Sequence, residues 1–157
     1  MRIVVACDHR GYEAKRRLLP VLKSAGHAVE DLGCEGVTAV DYPDYAIPVA
    51  RAVSTGKADV GILMDGSGIG MSVVANKVHG VRAALVHDHV TARRAREHNH
   101  CNVLCLGTDL LGEDQIRQIV DIFLNTSFCD GRHIKRLEKI ANVEMEECRR
   151  ATGVEKP

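Results

Sequence analysis

Residues 60–70 decide the fold of this chain, and they read Val-Gly-Ile-Leu-Met-Asp-Gly-Ser-Gly-Ile-Gly. The apolar half is typical of a buried strand, which ends at the carboxylate of Asp65 and is followed by glycines at 66, 68 and 70. Glycines let backbone N–H groups approach a ligand closely, and a helix beginning near Ile69 would point its positive end at the same place. The stretch therefore predicts a strand, a loop and a helix that together form an anion-binding site of backbone amides beside a candidate base.

Four further runs of β-branched and apolar residues read as strands, and stretches of helical length separate them. The predicted strands are residues 3–6, 28–32, 60–64, 81–86 and 103–106, and the predicted helices are 13–25, 44–54, 69–77, 90–97, 113–124 and 134–150. Such alternation is typical of a parallel sheet, because each parallel connection needs a crossover. The sequence therefore predicts an α/β fold, a Rossmann-like three-layer α/β/α sandwich with a five-stranded parallel sheet and an extra C-terminal helix.

Length and composition favour one globular domain over residues 1–150, with a flexible tail at 151–157. The 21 basic residues balance 21 acidic ones and there is no tryptophan, so we expect no nucleic-acid partner. No apolar run approaches the ~20 residues that cross a bilayer, which argues against a membrane partner. The six cysteines form no Cys-x-x-Cys pair and the chain opens with a strand-like run, so we expect a cytoplasmic protein.

Polar residues follow several predicted strands at the point where each strand ends. In an open parallel sheet, ligands bind beyond the carboxyl ends of the strands. The residues at these ends are Asp8 and His9, then Asp65 to Gly68, then His87 and Asp88, and finally Thr108 and Asp109. We expect several of them to share one pocket. His9 beside Asp8 could be a partnered base or a phosphate ligand, whereas Asp8 could equally cap the following helix.

His98 and Asn99 end a helix that runs back from the carboxyl edge, so within one subunit they should lie at the edge opposite Asp65. If they are functional, a second subunit must supply them. The same argument applies to Arg132, which with Arg136 would share one helix face and suit a phosphate. The alternative for that arginine pair is a solvated surface face.

Two other ligand types are disfavoured by the motifs. The glycine loop lacks the Gly-Lys-Ser/Thr ending of a phosphate loop and does not follow the first strand, which disfavours a nucleotide; a purely structural turn stays open. His87 with His89, or His98 with His100 and Cys101, could be considered for a metal, but neither set has a standard zinc spacing. We therefore predict no metal and no cofactor.

Five motifs in order resemble the family of ribose-5-phosphate isomerase type B and the galactose-6-phosphate isomerase subunits. They are VACDHRGY at 5–12, DYPDYA at 41–46, GSGIG at 66–70 with ANK at 75–77, REHN at 96–99, and GRH at 131–133 with Arg136. The resemblance covers residues 1 to about 145. It implies a metal-free aldose–ketose isomerisation of a sugar phosphate through an enediolate, in homodimers or homotetramers whose sites combine two subunits.

The resemblance also implies roles for individual residues. Asp8 and His98 would assist ring opening, His9, Arg132 and Arg136 would hold the phosphate, and Tyr42 and Asn99 would line the sugar. Ser67 would handle the hydroxyl protons. The backbone N–H groups from Gly66 through Gly68, Ile69 and Gly70 would stabilise the enediolate oxygen.

The chain departs from the family it resembles at the position of the catalytic base. Many members have a cysteine where this chain has Asp65, and another branch has a glutamate where it has Met71. Asp65 could replace the cysteine in a working pentose phosphate isomerase, because carboxylates perform such proton abstractions. It could instead mark a shift to another phosphosugar, such as allose 6-phosphate, galactose 6-phosphate or a tetrose phosphate. The alternative from a different functional class is a non-catalytic module that binds a phosphosugar or a nucleotide through the same glycine loop.

Overall fold

The computed structural model describes residues 1–153, and the last four residues of the predicted tail, 154–157, lie outside the described residues. Its strands are β1 (Arg2–Cys7), β2 (Ala28–Asp31), β3 (Val60–Asp65), β4 (Ala83–Leu85) and β5 (Val103–Gly107). Its helices are α1 (Tyr12–Ser24), α2 (Pro43–Ser54), α3 (Ile69–Ala75), α4 (His89–Asn99), α5 (Glu113–Asn125) and α6 (Arg132–Thr152). The predicted order of elements is confirmed, and α6 takes in two residues of the predicted tail.

β4 and α4 differ from their predicted limits, and both differences have a local cause. β4 is shorter than residues 81–86 because it pairs on one side only, with β5, while the Val81 N–H turns back to the carbonyl of Val78. α4 begins before Val90 because the Asp88 side chain accepts the N–H of Thr91 at 2.7 Å and caps the helix.

The five strands form one parallel sheet in the order β2-β1-β3-β5-β4. β1, β3 and β5 occupy its centre, and Asp65 at the end of β3 pairs with Gly107 of β5. The loops that follow these three strands therefore meet at one place on the carboxyl edge, which is where ligands bind in sheets of this kind.

Two apolar layers enclose the sheet and give the predicted sandwich. Alternate side chains of the central strands point to opposite faces, as strand geometry requires. One face, with Ile62 and Met64, packs against α1, α4 and α5; the other, with Leu63 and Cys105, packs against α2 and α3. These two layers fix the ends of the central strands and so the loops that carry the polar residues.

The last helix projects from the sandwich. Of the α6 residues that the structure describes, only His133 is buried, whereas Ile140 and Val143 are half exposed or more. α6 touches the body through α4 and through Glu144, whose Oε1 accepts the N–H of Gly80 at 2.8 Å. Within residues 1–153, no helix is both long and apolar enough to cross a membrane.

Candidate active site

A cavity of ≈ 450 Å³ opens at the carboxyl edge, where the loops after β1, β3 and β5 meet. We name it the cup. Its lining residues are Asp8, Arg10, Tyr42, Asp65, Gly66, Ser67, Gly70, Asp109 and Leu110. The cup therefore brings together six of the residues predicted for the site, from the loops after β1 and β3 and from the start of α2.

Asp65 is one of two buried acidic residues of the cup, 5% exposed, and the other is Asp8. Asp65 Oδ1 accepts the backbone N–H groups of Ser67, at 3.0 Å, and of Gly68, while Oδ2 accepts only a long bond from Met71 at 3.4 Å. Burial raises the pKa of Asp65, and the hydrogen bonds from the backbone oppose that rise. Oδ2 is thus the atom with capacity left to take a proton.

The glycine loop differs from the predicted anion-binding site, because the Asp65 carboxylate itself accepts some of the loop's backbone amides. The amides of Ser67 and Gly68 point at the Asp65 carboxylate, and the Ile69 N–H points at Ser67 Oγ at 3.2 Å. Among the described residues, no acceptor is hydrogen-bonded to the amides of Gly66 and Gly70. Only these two N–H groups of the loop are open to a ligand. The sequence could not show this sharing, which depends on the turn of the backbone.

Two glycines of the loop are required by geometry. Gly68 has φ +77°, a left-handed conformation that favours glycine. Gly70 faces Tyr42, and a Cβ at residue 70 would lie 2.8 Å from two atoms of the tyrosine ring. Tyr42 thereby forms one wall of the cup, directly over the start of α3.

Asp8 and His9 occupy the turn after β1, and one side-chain atom of each accepts hydrogen bonds from the backbone. Asp8 Oδ1 accepts the N–H groups of Arg10 at 2.8 Å and Gly11 at 3.2 Å, both in the turn before α1. The N-cap of α1 is Gly11 and no side chain caps it, so the capping interpretation of Asp8 is wrong. Asp8 Oδ2 lies 4.0 Å from His9 Nδ1, which accepts the N–H of Val40 at 3.3 Å. His9 therefore carries its proton on Nε2 when neutral, as a donor would, and Asp8 keeps one oxygen for a ligand.

An ion pair at the rim of the cup was missed by the sequence reasoning. Arg10 Nη2 donates to Asp109 Oδ2 at 2.7 Å, which joins the loop after β1 to the loop after β5. The Asp109 N–H donates to the carbonyl of Gly66 at 3.1 Å, and Thr108 Oγ1 lies 3.0 Å from the carbonyl of Asp65. The position of Asp109 directly after β5 predicts that it lies at the cup, but nothing in the sequence predicts its ion pair with Arg10.

A second cavity, of ≈ 570 Å³, lies between α4 and α6. We name it the basin. Its lining residues are His89, Val90, Arg93, Arg94, Glu97, His98, Cys129, Asp130, Arg132 and His133. It shares no lining residue with the cup. Within one chain, His98 and Arg132 therefore line a different cavity from Asp65.

Stacked histidines form the floor of the basin. The rings of His98 and His133 lie 4.3 Å apart between centroids and 12° from parallel. His133 is 3% exposed, and burial lowers its pKa. The positive charges of Arg132 and Arg136 lower the pKa of His133 further. Arg136, one turn after Arg132 on α6, therefore acts on the basin although it does not line it.

Asn99 takes a third position. It follows His98 at the end of α4, and it lines the cavity between α6 and the turn before β4 rather than the basin. Its Nδ2 is 3.4 Å from the carbonyl of Arg94. The structure therefore does not bring Asn99 to Tyr42 within one chain, although the sequence assigns both residues to the sugar.

Cys7 and Cys105 are buried cysteines that line neither the cup nor the basin. Cys7 is buried, with its Sγ 3.7 Å from that of Cys34, and burial raises its pKa, so its thiol is held protonated. Cys105 is buried in the core of the sandwich. Within residues 1–153, no three side chains of His, Cys, Asp or Glu come together as a metal site.

Comparison with known proteins gives one consistent result. Residues 3–140 match the Ribose/Galactose Isomerase family. Ribose-5-phosphate isomerase B of Escherichia coli is 38% identical over 143 residues, which is 91% of this chain and 96% of that protein. The structure of Clostridium thermocellum ribose-5-phosphate isomerase B superposes with a TM-score of 0.92 at 44% identity, covering 94% of this chain and 99% of that one.

A further solved structure carries a ligand. It is ribose-5-phosphate isomerase B of Mycoplasma genitalium with bound ribulose-5-phosphate, at a TM-score of 0.89 and 41% identity. The match covers 92% of this chain and 97% of that chain. The likeness therefore extends over nearly the whole length of both proteins.

Proposed function

Because the chain belongs to the Ribose/Galactose Isomerase family, we propose that it interconverts ribose 5-phosphate and ribulose 5-phosphate through an enediolate, with Asp65 as the base. The chain is an aldose–ketose isomerase of sugar phosphates, and the proposal adds the substrate and the catalytic group. The observation that carries it is the Asp65 carboxylate, buried at the end of the central strand with one oxygen nearly free.

The environment of Asp65 suits proton abstraction from carbon. An aspartate in water is a weak base, with a pKa of ~3.9, and a base is most efficient near the working pH. Burial raises the pKa of Asp65 in the required direction. The amides of Ser67 and Gly68 hold Oδ1, so that Oδ2 faces a fixed direction and takes the proton from C2 of the aldose or C1 of the ketose.

The enediolate needs donors where its negative charge develops. The free amides of Gly66 and Gly70 are the candidates, and they form a smaller set than the whole loop from 66 to 70 that the sequence suggests. The Ser67 hydroxyl is 3.2 Å from the Ile69 N–H, which it accepts, so its own proton is available for the substrate's hydroxyl oxygens. We assign Ser67 to proton transfer between O1 and O2.

The phosphate and the sugar ring are assigned to groups from two subunits, because the cup and the basin lie apart in one chain. The cup carries the buried carboxylates of Asp8 and Asp65, and the basin is lined by Arg93, Arg94 and Arg132, so a sugar phosphate bridging them meets acid–base groups at one end and cations at the other. The exposed apolar residues Ile140 and Val143 give α6 a surface for a second copy. We therefore propose a homodimer or a homotetramer.

In this assembly the predicted residues keep their roles as proposals, except Gly68 and Ile69, whose amides are hydrogen-bonded within the loop. His9 donates from Nε2 to the phosphate, beside Arg132 and Arg136 of the second subunit. The free Oδ2 of Asp8 and the imidazole of His98 assist ring opening. Tyr42 and Asn99 contact the sugar from the two sides of the interface, and Ile69, exposed on the first turn of α3, contributes its backbone to the wall of the site.

A second candidate function is binding without turnover, or turnover of a different phosphosugar. The observation that favours binding alone is the double acceptance by Asp65 Oδ1, since a carboxylate that closes its own loop needs no catalytic role. The alternatives differ in measurable ways. A binding protein saturates with ribose 5-phosphate and leaves its C2 hydrogen in place, and an isomerase of another sugar turns over allose 6-phosphate, galactose 6-phosphate or erythrose 4-phosphate instead.

The test of the base is Asp65→Asn, with Asp109→Asn as the matched control in the same cup. Loss of a general base lowers turnover by roughly 10²–10⁴-fold, while binding of ribose 5-phosphate, measured by calorimetry, is retained. Asp109 is exposed and paired with Arg10, so its replacement leaves most of the turnover in place. Equal turnover by Asp65→Asn and the wild type would remove Asp65 from the mechanism.

A further inference from the structure

Arg94 and His98 lie one helical turn apart on α4, and Arg94 Nη1 is 2.8 Å from His98 Nε2. A guanidinium group carries only donors and stays protonated in proteins, so Arg94 donates in this bond. His98 Nε2 is therefore the acceptor. An imidazole that accepts at Nε2 carries no proton there, which makes His98 neutral, with its single proton on Nδ1.

The orientation of the His98 ring is fixed by a second contact. Its face stacks on His133, at 4.3 Å between centroids and 12° from parallel. His133 is itself buried, and in the part of the chain that the structure describes its Nδ1 has no hydrogen-bond partner. Arg94 contacts the edge of the His98 ring and His133 contacts its face, and together they hold the ring in one orientation.

The remaining charged groups of the basin agree with a neutral His98. Arg93 and Arg132 add positive charge, and His89 and Cys129 complete the titratable groups that line the cavity. The two carboxylates are Glu97 and Asp130, and within residues 1–153 neither is hydrogen-bonded to His98. No anion is thus bonded to the ring to stabilise an imidazolium, whereas Arg94 is in direct contact with it.

We propose that Arg94 is a positioning residue for the isomerisation: it fixes His98 as the neutral tautomer with the proton on Nδ1. The inference rests on the proposed function, in which His98 assists ring opening. Ring opening moves a proton off the anomeric hydroxyl and places one on the ring oxygen. With Nε2 of His98 occupied by Arg94, Asp8 Oδ2 takes the proton of the anomeric hydroxyl and returns it to the ring oxygen, to which the Nδ1–H of His98 donates a hydrogen bond. In free histidine the proton resides mainly on Nε2, and removal of Arg94 lets His98 revert to that tautomer and turn.

The kinetic test separates ring opening from proton abstraction at carbon. Ribulose 5-phosphate has its O5 blocked by the phosphate and forms no five-membered ring, so incorporation of solvent deuterium at its C1 requires no ring opening. We expect Arg94→Leu to lower conversion of ribose 5-phosphate by roughly 10-fold at saturation, while C1 exchange in ribulose 5-phosphate changes by less than about twofold.

Two further variants distinguish positioning from charge. Arg94→Lys keeps a donor-only side chain one turn from His98 and restores most of the conversion. Arg93→Leu removes a neighbouring cation of the same basin that, within residues 1–153, makes no hydrogen bond to His98, and we expect it to raise KM without the split between conversion and exchange. A similar split in Arg93→Leu, or none in Arg94→Leu, would overturn the role of Arg94.

Nitrogen-15 NMR of the histidine rings tests the tautomer directly and without substrate. We expect His98 to show a bare Nε2 and a protonated Nδ1 in the wild type, and to lose that pattern in Arg94→Leu. A protonated Nε2 in the wild type would contradict the inference. Failure of the wild type to exchange C1 of ribulose 5-phosphate would refute the proposed function instead, and the NMR result would still decide the tautomer.

Discussion

Mixing two inactive variants tests whether the cup of one subunit works with the basin of another. The first variant, Asp65→Asn, has a defective cup and an intact basin. The second, with Arg132→Ala and Arg136→Ala, has an intact cup and a defective basin. The two cavities share no residue, and each change leaves the other cavity untouched.

The expected activities follow from the contacts that each change removes. Each hydrogen bond from a charged group to a phosphate is worth ~1.5–3 kcal/mol, so loss of both arginines lowers kcat/KM by roughly 10²–10⁴-fold. In a mixed dimer, one of the two sites pairs the good cup with the good basin, and the other site carries both defects. Random reassembly makes about half of the dimers mixed, so about a quarter of all sites are intact.

The assay follows formation of ribulose 5-phosphate after the variants are mixed at equal concentration, exchanged through mild denaturant and returned to buffer. We expect activity to rise from near zero to about a quarter of the wild-type value. Each variant treated in the same way alone provides the control. Activity that stays at the level of the separate variants, in mixed dimers verified by mass spectrometry, would refute a site shared between subunits.

Three other predictions concern the pH profile, the cup and the framework. Because burial raises the pKa of Asp65, kcat/KM should fall with acid through a pKa above the ordinary ~3.9, and a profile that stays flat down to pH ~4 would contradict the assigned base. Gly70→Ala places a Cβ 2.8 Å from the Tyr42 ring and should lower kcat/KM by roughly 10-fold, whereas Gly36→Ala, with nothing within 4 Å, should have no effect; equal activities would argue against Tyr42 as a wall of the site. Lys15→Met breaks the bonds of 2.8 Å from Nζ to Asp31 and to the carbonyl of Cys34, which should cost ~2 kcal/mol and lower Tm by ~4–8 °C; an unchanged melting curve would show that the buried amine stabilises nothing.

The fold could be predicted because its signals are local and repeated. Each strand is an apolar run that ends at polar residues, and each helix has a periodic apolar face, so the order of elements and the parallel sheet follow from the sequence. The separation of His98 from Asp65 also follows, since helices in such a sheet run back from the carboxyl edge. The limits of β4 could not be predicted, because they depend on its pairing on one side only.

The site was predictable by position and much less by hydrogen bonding. Residues after β1, β3 and β5 lie in the cup as expected, whereas His87 and Asp88 after β4 do not line it, and Asp88 caps α4 instead. The capture of two loop amides by Asp65 depends on the backbone turn at Gly68. The Arg10–Asp109 ion pair joins residues far apart in the chain, so no sequence pattern indicates it. The contact of Arg94 with His98 is indicated by the sequence, because residues four apart on a helix share a face.

The central claim is that this chain moves a proton between C1 and C2 of ribose 5-phosphate with the Asp65 carboxylate. Its most direct test is to incubate the purified protein with ribose 5-phosphate in deuterated water and to follow, by NMR, ribulose 5-phosphate formation together with deuterium at C2 of the remaining aldose. We expect both signals in the wild type and neither in Asp65→Asn. Folded wild-type protein that binds ribose 5-phosphate but gives neither conversion nor exchange would contradict the claim.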